Sequence, residues 1–265
     1  MTPLAAYLSK QITHPRNEFW KRNKQMLKFS LSDIHCFEVS KIVPLAEELH
    51  AEYSKKGKSI EQSEKYLFLP APKTWIEAER PDHIRFAFLL RQIEDRVFEF
   101  EPGKPTRCAA VTMFGEQRAA MIGLLSTESN KGWRATDKLL DAETAKLPIS
   151  GLLQIVHILL GMINTPRIIG RTQHMPNRAV ERRLARDFGV GKFPLHAWNE
   201  IKLEVTKPPE IDDGEPHEAH LTGRRALHFC RAHLRLRRGK LEYVSSHWRG
   251  DASIGIKQSR YLVTP

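Results

Sequence analysis

The chain has 265 residues, of which 41% are hydrophobic and 28% charged, and a formal net charge of +11. Such a length holds one large domain or two modest ones, and the apolar share supports a packed core rather than a disordered chain. The three cysteines, Cys36, Cys108 and Cys230, have no paired spacing, which argues against a disulfide framework or a zinc knuckle and fits a reducing cytoplasm.

The first ten residues lack the apolar stretch of a secretory leader, and no apolar run is long enough to span a bilayer. The expectation is a soluble protein of the cytoplasm with no membrane partner. The positive charge is unevenly placed. Residues 221–265 hold ten Lys and Arg against two acids, and the first thirty residues hold six against one. Charge concentrated at two ends implies patches, and basic patches attract phosphate backbones.

Taken in order, residues 2–13 and 16–28 read as helices, and residues 41–55 as a third, closed by Gly57. Residues 66–77 read as an edge or interrupted strand because Pro70 and Pro72 remove ladder donors. Residues 84–93 and 97–101, then 106–114 and 119–127, follow as an antiparallel meander. Residues 135–145 and 148–163 read as a helical pair, the second apolar nearly all round and therefore central. Its His157 is expected as a satisfied core residue rather than a ligand.

A short strand is expected at 167–171, a basic helix with Arg178, Arg182, Arg183 and Arg186 at 177–188, and a strand at 198–206. Residues 207–220 are acidic and proline-rich, as in a surface loop. The fold class expected is α+β: an antiparallel sheet with N-terminal and central helices and a basic C-terminal β-hairpin. The divisions expected are a helical region at 1–60, an α+β core at 61–206, the loop at 207–220 and a hairpin subregion at 221–265, all of which one domain can hold.

Glycine-rich phosphate loops are absent, so no nucleotide cofactor is expected. No cofactor or metal of any other kind is expected either. His217 and His220 have a chelating spacing without a completing motif, and the acids Glu77, Glu79, Asp82, Glu94, Asp95 and Asp141 form no paired-carboxylate pattern.

The C-terminal segment carries the clearest pattern. Phe229, Arg231, His233, Arg235 and Arg237 alternate with His228, Cys230, Ala232, Leu234 and Leu236, and Gly239 supplies a turn. Either choice of turn residues puts Leu241, Tyr243 and Ser245 on the apolar face and Lys240, Glu242, Ser246 and Trp248 on the cationic one. A final strand at 254–263 is expected to close this small sheet.

Residues 69–77, residues 177–204, and the run His228-x-x-Arg231-x-His233-x-Arg235 followed by His247-Trp248-Arg249-Gly250 together resemble a group of uncharacterised bacteriophage and prophage proteins. The resemblance spans about the last three quarters of the chain and implies a phage or mobile-element origin, with expression in the bacterial host cytoplasm. It implies no activity.

Alternate strand residues lie about 7 Å apart on one face, close to the phosphate spacing of a single strand. The expected site therefore comprises Arg231, His233, Arg235, Arg237, Lys240, Trp248 and Arg249, with Arg178 and Arg182, binding RNA or single-stranded DNA. One alternative is a metal-independent ribonuclease using His233 and His247 beside arginines. Pairing parity opposes it by placing His247 with His228 on the other face. The other alternative is an inhibitor or adaptor that binds an acidic host protein. The sequence leaves enzymatic activity and oligomeric state open.

Overall fold

The computed structural model describes residues 1–57, 67–101, 104–127, 133–135, 148–165, 169–174, 182, 186, 198–203, 226–230, 233–238, 240–244 and 247–256. They form an α+β fold with N-terminal and central helices and a mostly antiparallel sheet, as the sequence predicts.

The N-terminal helices are α1 (Pro3–Thr13), α2 (Glu18–Arg22) and α3 (Lys24–Leu31). Pro3 presets the first turn of α1. The cap comes from far along the chain: the Glu77 carboxylate accepts from the backbone N–H of Leu4 at 2.8 Å and of Ala5 at 3.3 Å. The same carboxylate is fully buried and also accepts from Trp75 Nε1 at 3.0 Å and Arg85 at 3.3 Å. Four donors around one buried anion meet the requirement that such a group be compensated.

The single helix expected at 16–28 is two. Asn17 caps α2 by accepting from Trp20 N–H, while Asn23 leaves helical geometry and its side chain donates to the Phe19 carbonyl. Asparagine competes for local backbone partners in this way and breaks a run that is apolar enough to continue.

Eight strands form the main sheet: β1 (His35–Glu38), β2 (Lys73–Glu79), β3 (Arg85–Glu101), β4 (Lys104–Phe114), β5 (Ala119–Ser126), β6 (Trp133–Ala135), β7 (Ile169–His174) and β8 (Trp198–Leu203). Their order is β6-β5-β4-β3-β2-β1-β8-β7. The meander β2 to β6 is antiparallel, but β1 runs parallel to both neighbours, pairing Glu38 with Glu77 on one side and with Glu200 on the other. A four-residue strand with one acid and one histidine carries no sequence signal of its own.

Two further expectations change. β2 is an interior strand, because it begins at Lys73, after both prolines, and the ladder never needs their missing donors. The break expected at 94–96 is not a turn: β3 continues to Glu101, and its register against β4 shifts between Ile93 and Phe98.

The sheet buries both faces. Cys36, Trp75, Ala87, Leu89 and Phe114 pack against α1–α3, where Trp20 is fully enclosed and donates from Nε1 to the Glu116 carbonyl at 2.7 Å. Phe37, Ile76, Ala78, Phe88, Leu90 and Val111 pack with α4 (Val43–Lys55) and α5 (Ile149–Asn164). The α4 helix ends at Gly57 with φ +61, the left-handed stop expected there. α5 is the buried central helix, and burial pushes the pKa of His157 down to about 4. Among the described residues no helix is long and apolar enough to cross a membrane.

Candidate nucleic-acid interface

The C-terminal strands are β9 (Ala226–Cys230), β10 (His233–Arg237), β11 (Lys240–Val244), β12 (His247–Arg249) and β13 (Asp251–Ile256). β10 pairs with β11 from His233↔Val244 to Arg237↔Lys240, and β9 pairs with β12 through Cys230↔His247, Phe229↔Trp248 and Arg249↔His228. The two ladders are separated by two residues on each strand, so they share one register. Among the described residues the two ladders belong to separate sheets, β10-β11 and β12-β9-β13, whose pairings follow the single register expected of one hairpin. β13 lies on the other side of β9, and residues 257–263 of the expected closing strand lie outside the described residues.

The pairing of Arg237 with Lys240 leaves a two-residue loop whose first residue, Arg238, has φ +50. Two-residue hairpin loops that match the twist of their strands require positive φ, and here an arginine adopts it ahead of Gly239.

One side of the ribbon is fixed to the body of the fold. Leu234 is 3% exposed and Leu241 5% exposed, both within the core shared by α4 and α5. Tyr243 meets Tyr53 of α4 edge to face at 5.9 Å, and at the loop end Lys240, which belongs to the other side, reaches back so that its Nζ lies 3.9 Å from Glu48 of the same helix. The other side carries Arg235, Arg237 and Lys240, all exposed, with His233, Glu242 and Val244 half-buried. Trp248 shares this parity and is 57% exposed.

A cross-strand pair sits in the middle of this face. Arg235 Nε and Nη2 both bond Glu242 Oε2, at 3.0 and 2.9 Å. Both side chains remain partly in solvent, so the pair contributes only tenths of a kcal/mol to about 1 kcal/mol. Arg235 is thus paired without being withdrawn from the surface.

The β10–β11 ladder brings Arg235, Arg237, Lys240 and His233 to one face. The matching register of β9–β12 assigns Trp248 to that face by parity and two other expected residues to the opposite one. Arg249 stands opposite His228 with the parity of Cys230, and His247 pairs with Cys230 itself, although both are exposed. Arg182 is an exposed helical residue in the 175–197 connection. Arg178, Arg231, and the histidines at 217 and 220 lie outside the described residues, as does the 207–220 loop.

Sequence reading missed a polar cluster at the β1–β8–β7 end of the sheet. The His174 ring stacks on Trp198 at 4.1 Å, its Nε2 lies 2.8 Å from Glu200 Oε2, and Lys41 donates to Glu200 Oε1 at 2.6 Å. Glu200, Glu38 and Glu77 occupy laterally adjacent register positions on one face. Each acid has its own partner: Lys41 and His174, then Ser40, then the α1 amides. Only the insertion of β1 between β2 and β8 aligns them, and no linear spacing signals it. Among the described residues no group of three or more His, Cys, Asp or Glu is arranged to hold a metal ion.

Comparison of the chain with protein-family models, with curated proteins and with solved structures returns no match. The chemistry of the ribbon therefore carries the functional reading.

Proposed function

We propose that this protein binds RNA or single-stranded DNA across the cationic face of its C-terminal strands. The observation that supports this reading is the shared register of the two ladders. In β10–β11 Arg235, Arg237 and Lys240 share one face while Leu234 and Leu241 are buried on the other, and the same register assigns Trp248 to the cationic face by parity. Cations about 7 Å apart along a strand can follow successive phosphates, and an exposed indole offers a plane on which a base stacks.

The backing by α4 favours an unpaired strand over a duplex. A two-stranded ribbon reads the major groove of B-DNA by entering it. This ribbon has one side buried against helices, so it offers a surface to lie on rather than a projection to insert. Flat sheet faces with aromatic and cationic side chains suit splayed single strands.

A phage or mobile-element origin, with action in the host cytoplasm, belongs to this reading through the resemblance described above. Replacing Arg231, Arg235 and Arg237 together with Ala is expected to weaken oligonucleotide binding at low salt by roughly tenfold or more while the fold persists. Unchanged affinity removes the proposed site. A stoichiometric host protein retained after nuclease treatment, with no oligonucleotide affinity, replaces this reading with the adaptor alternative.

A further inference from the structure

The Arg235–Glu242 pair is an unusual feature for a surface that holds a polyanion. An acid in the middle of such a face repels phosphates and lowers affinity unless it makes a contact of its own. Among the described residues of this face, His233, Arg235, Arg237, Lys240, Glu242, Val244 and Trp248, Glu242 is the one side chain that only accepts hydrogen bonds.

The geometry of the pair leaves acceptor capacity on Glu242 and donor capacity on Arg235. Both bonds from Arg235 fall on Glu242 Oε2, from Nε and Nη2, so neither uses Oε1 of the carboxylate nor Nη1 of the guanidinium. The two side chains are 49% and 37% exposed, open enough to meet a ligand laid on the face. Unpaired bases are read through hydrogen bonds on their Watson–Crick edges. Oε1 keeps two lone pairs with which it can accept from two neighbouring N–H donors, and the arginine has N–H groups that match a carbonyl oxygen.

We propose that the Arg235–Glu242 pair selects an unpaired guanine, whose N1–H and N2–H donate to the carboxylate while O6 accepts from the guanidinium. Adenine and uracil present no such pair of adjacent donors, and cytosine presents only its N4 amine beside acceptors. Trp248, which the shared register assigns to the same face, then stacks a different base of the same strand. This rests on the ribbon face binding a single strand at all, and it adds sequence preference to that reading.

The test uses short uridine tracts carrying one central guanosine, adenosine or inosine, an all-uridine control, and the corresponding thymidine-based DNAs, bound to the full chain and to Glu242→Gln. The guanosine strand is expected to bind the wild-type protein about tenfold more tightly than the uridine control. Inosine, which keeps N1–H and O6 but lacks the N2 amine, is expected to lose most of that gain. Glu242→Gln offers one acceptor instead of two and is expected to lose the guanosine preference while gaining affinity for uridine. Comparing RNA with DNA then shows whether the 2′-hydroxyl contributes.

Equal wild-type affinity for guanosine, inosine and uridine strands overturns the selection of guanine and leaves Glu242 as a cross-strand partner, with the binding reading intact. Binding of none of the strands removes the binding reading itself. The inosine comparison needs no altered protein, so an unstable variant does not cloud the result.

Discussion

His247 stands directly opposite Cys230 in the β9–β12 ladder, and His233 directly opposite Val244 in the β10–β11 ladder, three pairs further along the same register. An odd offset in one register assigns the two imidazoles to opposite faces, which disfavours a general base and general acid reaching the same phosphate. The protein is expected to leave an unstructured RNA intact in chelator. His233→Ala is expected to reduce affinity a few-fold, and His247→Ala to leave it unchanged. Metal-independent cleavage lost in both variants contradicts this register.

Docking of the ribbon is a matter of apolar burial. Leu234→Ala and Leu241→Ala each remove a buried side chain from the core shared with α4 and α5. Each is expected to lower stability by about 2–4 kcal/mol. Both are also expected to weaken oligonucleotide binding, because the cationic face loses its support. Denaturant midpoints measured beside affinities check this, and an unchanged midpoint means that the ribbon is not part of the cooperative core.

The buried Glu77 joins two distant parts of the chain by capping α1 from within β2. Glu77→Gln keeps the shape but sets an amide N–H₂ either against the Leu4 N–H and Arg85 or against the Ala5 N–H and the indole of Trp75. A loss of roughly 3 kcal/mol is expected, readable as a lower denaturant midpoint with oligonucleotide affinity retained at low denaturant. A variant as stable as the parent contradicts the cap.

Acid sensitivity is expected from His157. Burial holds its folded pKa at about 4, below the value of about 6.5 for an unfolded histidine. Between these values the unfolded chain takes up a proton that the native state refuses. The stability contribution is complete above about pH 6.5 and is lost as the pH falls toward 4, by up to roughly 3 kcal/mol. His157→Leu, apolar like its neighbours on α5, is expected to flatten the dependence of the urea midpoint over that range. An equal slope in both proteins contradicts it.

Much of the fold is legible because its elements follow simple periodicities. Gly57 stops α4, the apolar run of α5 marks the central helix, and the alternation from Phe229 to Arg237 with Gly239 indicates the ribbon and its parity. What the sequence hides depends on partners far along the chain. β1 is four residues long and is a strand only because β2 and β8 flank it, so the lateral alignment of Glu200, Glu38 and Glu77 is invisible beforehand. The prolines at 70 and 72 suggest an edge strand, yet they precede β2 and leave it interior. On the ribbon, alternation assigns Trp248 and Glu242 to one face, but the atoms that join Arg235 to Glu242, and the burial of the opposite side on α4, require coordinates.

The most direct test of the central claim is the salt dependence of affinity for a short labelled single strand between about 50 and 200 mM salt. Binding through three or four phosphates on the ribbon face predicts a log–log slope of roughly −2 to −3, at about −0.7 per contact for single strands. In Arg235→Ala/Arg237→Ala/Lys240→Ala the slope is expected to fall toward zero as affinity drops. Binding that is indifferent to salt, or a slope the triple variant leaves unchanged, contradicts a single strand held on that face.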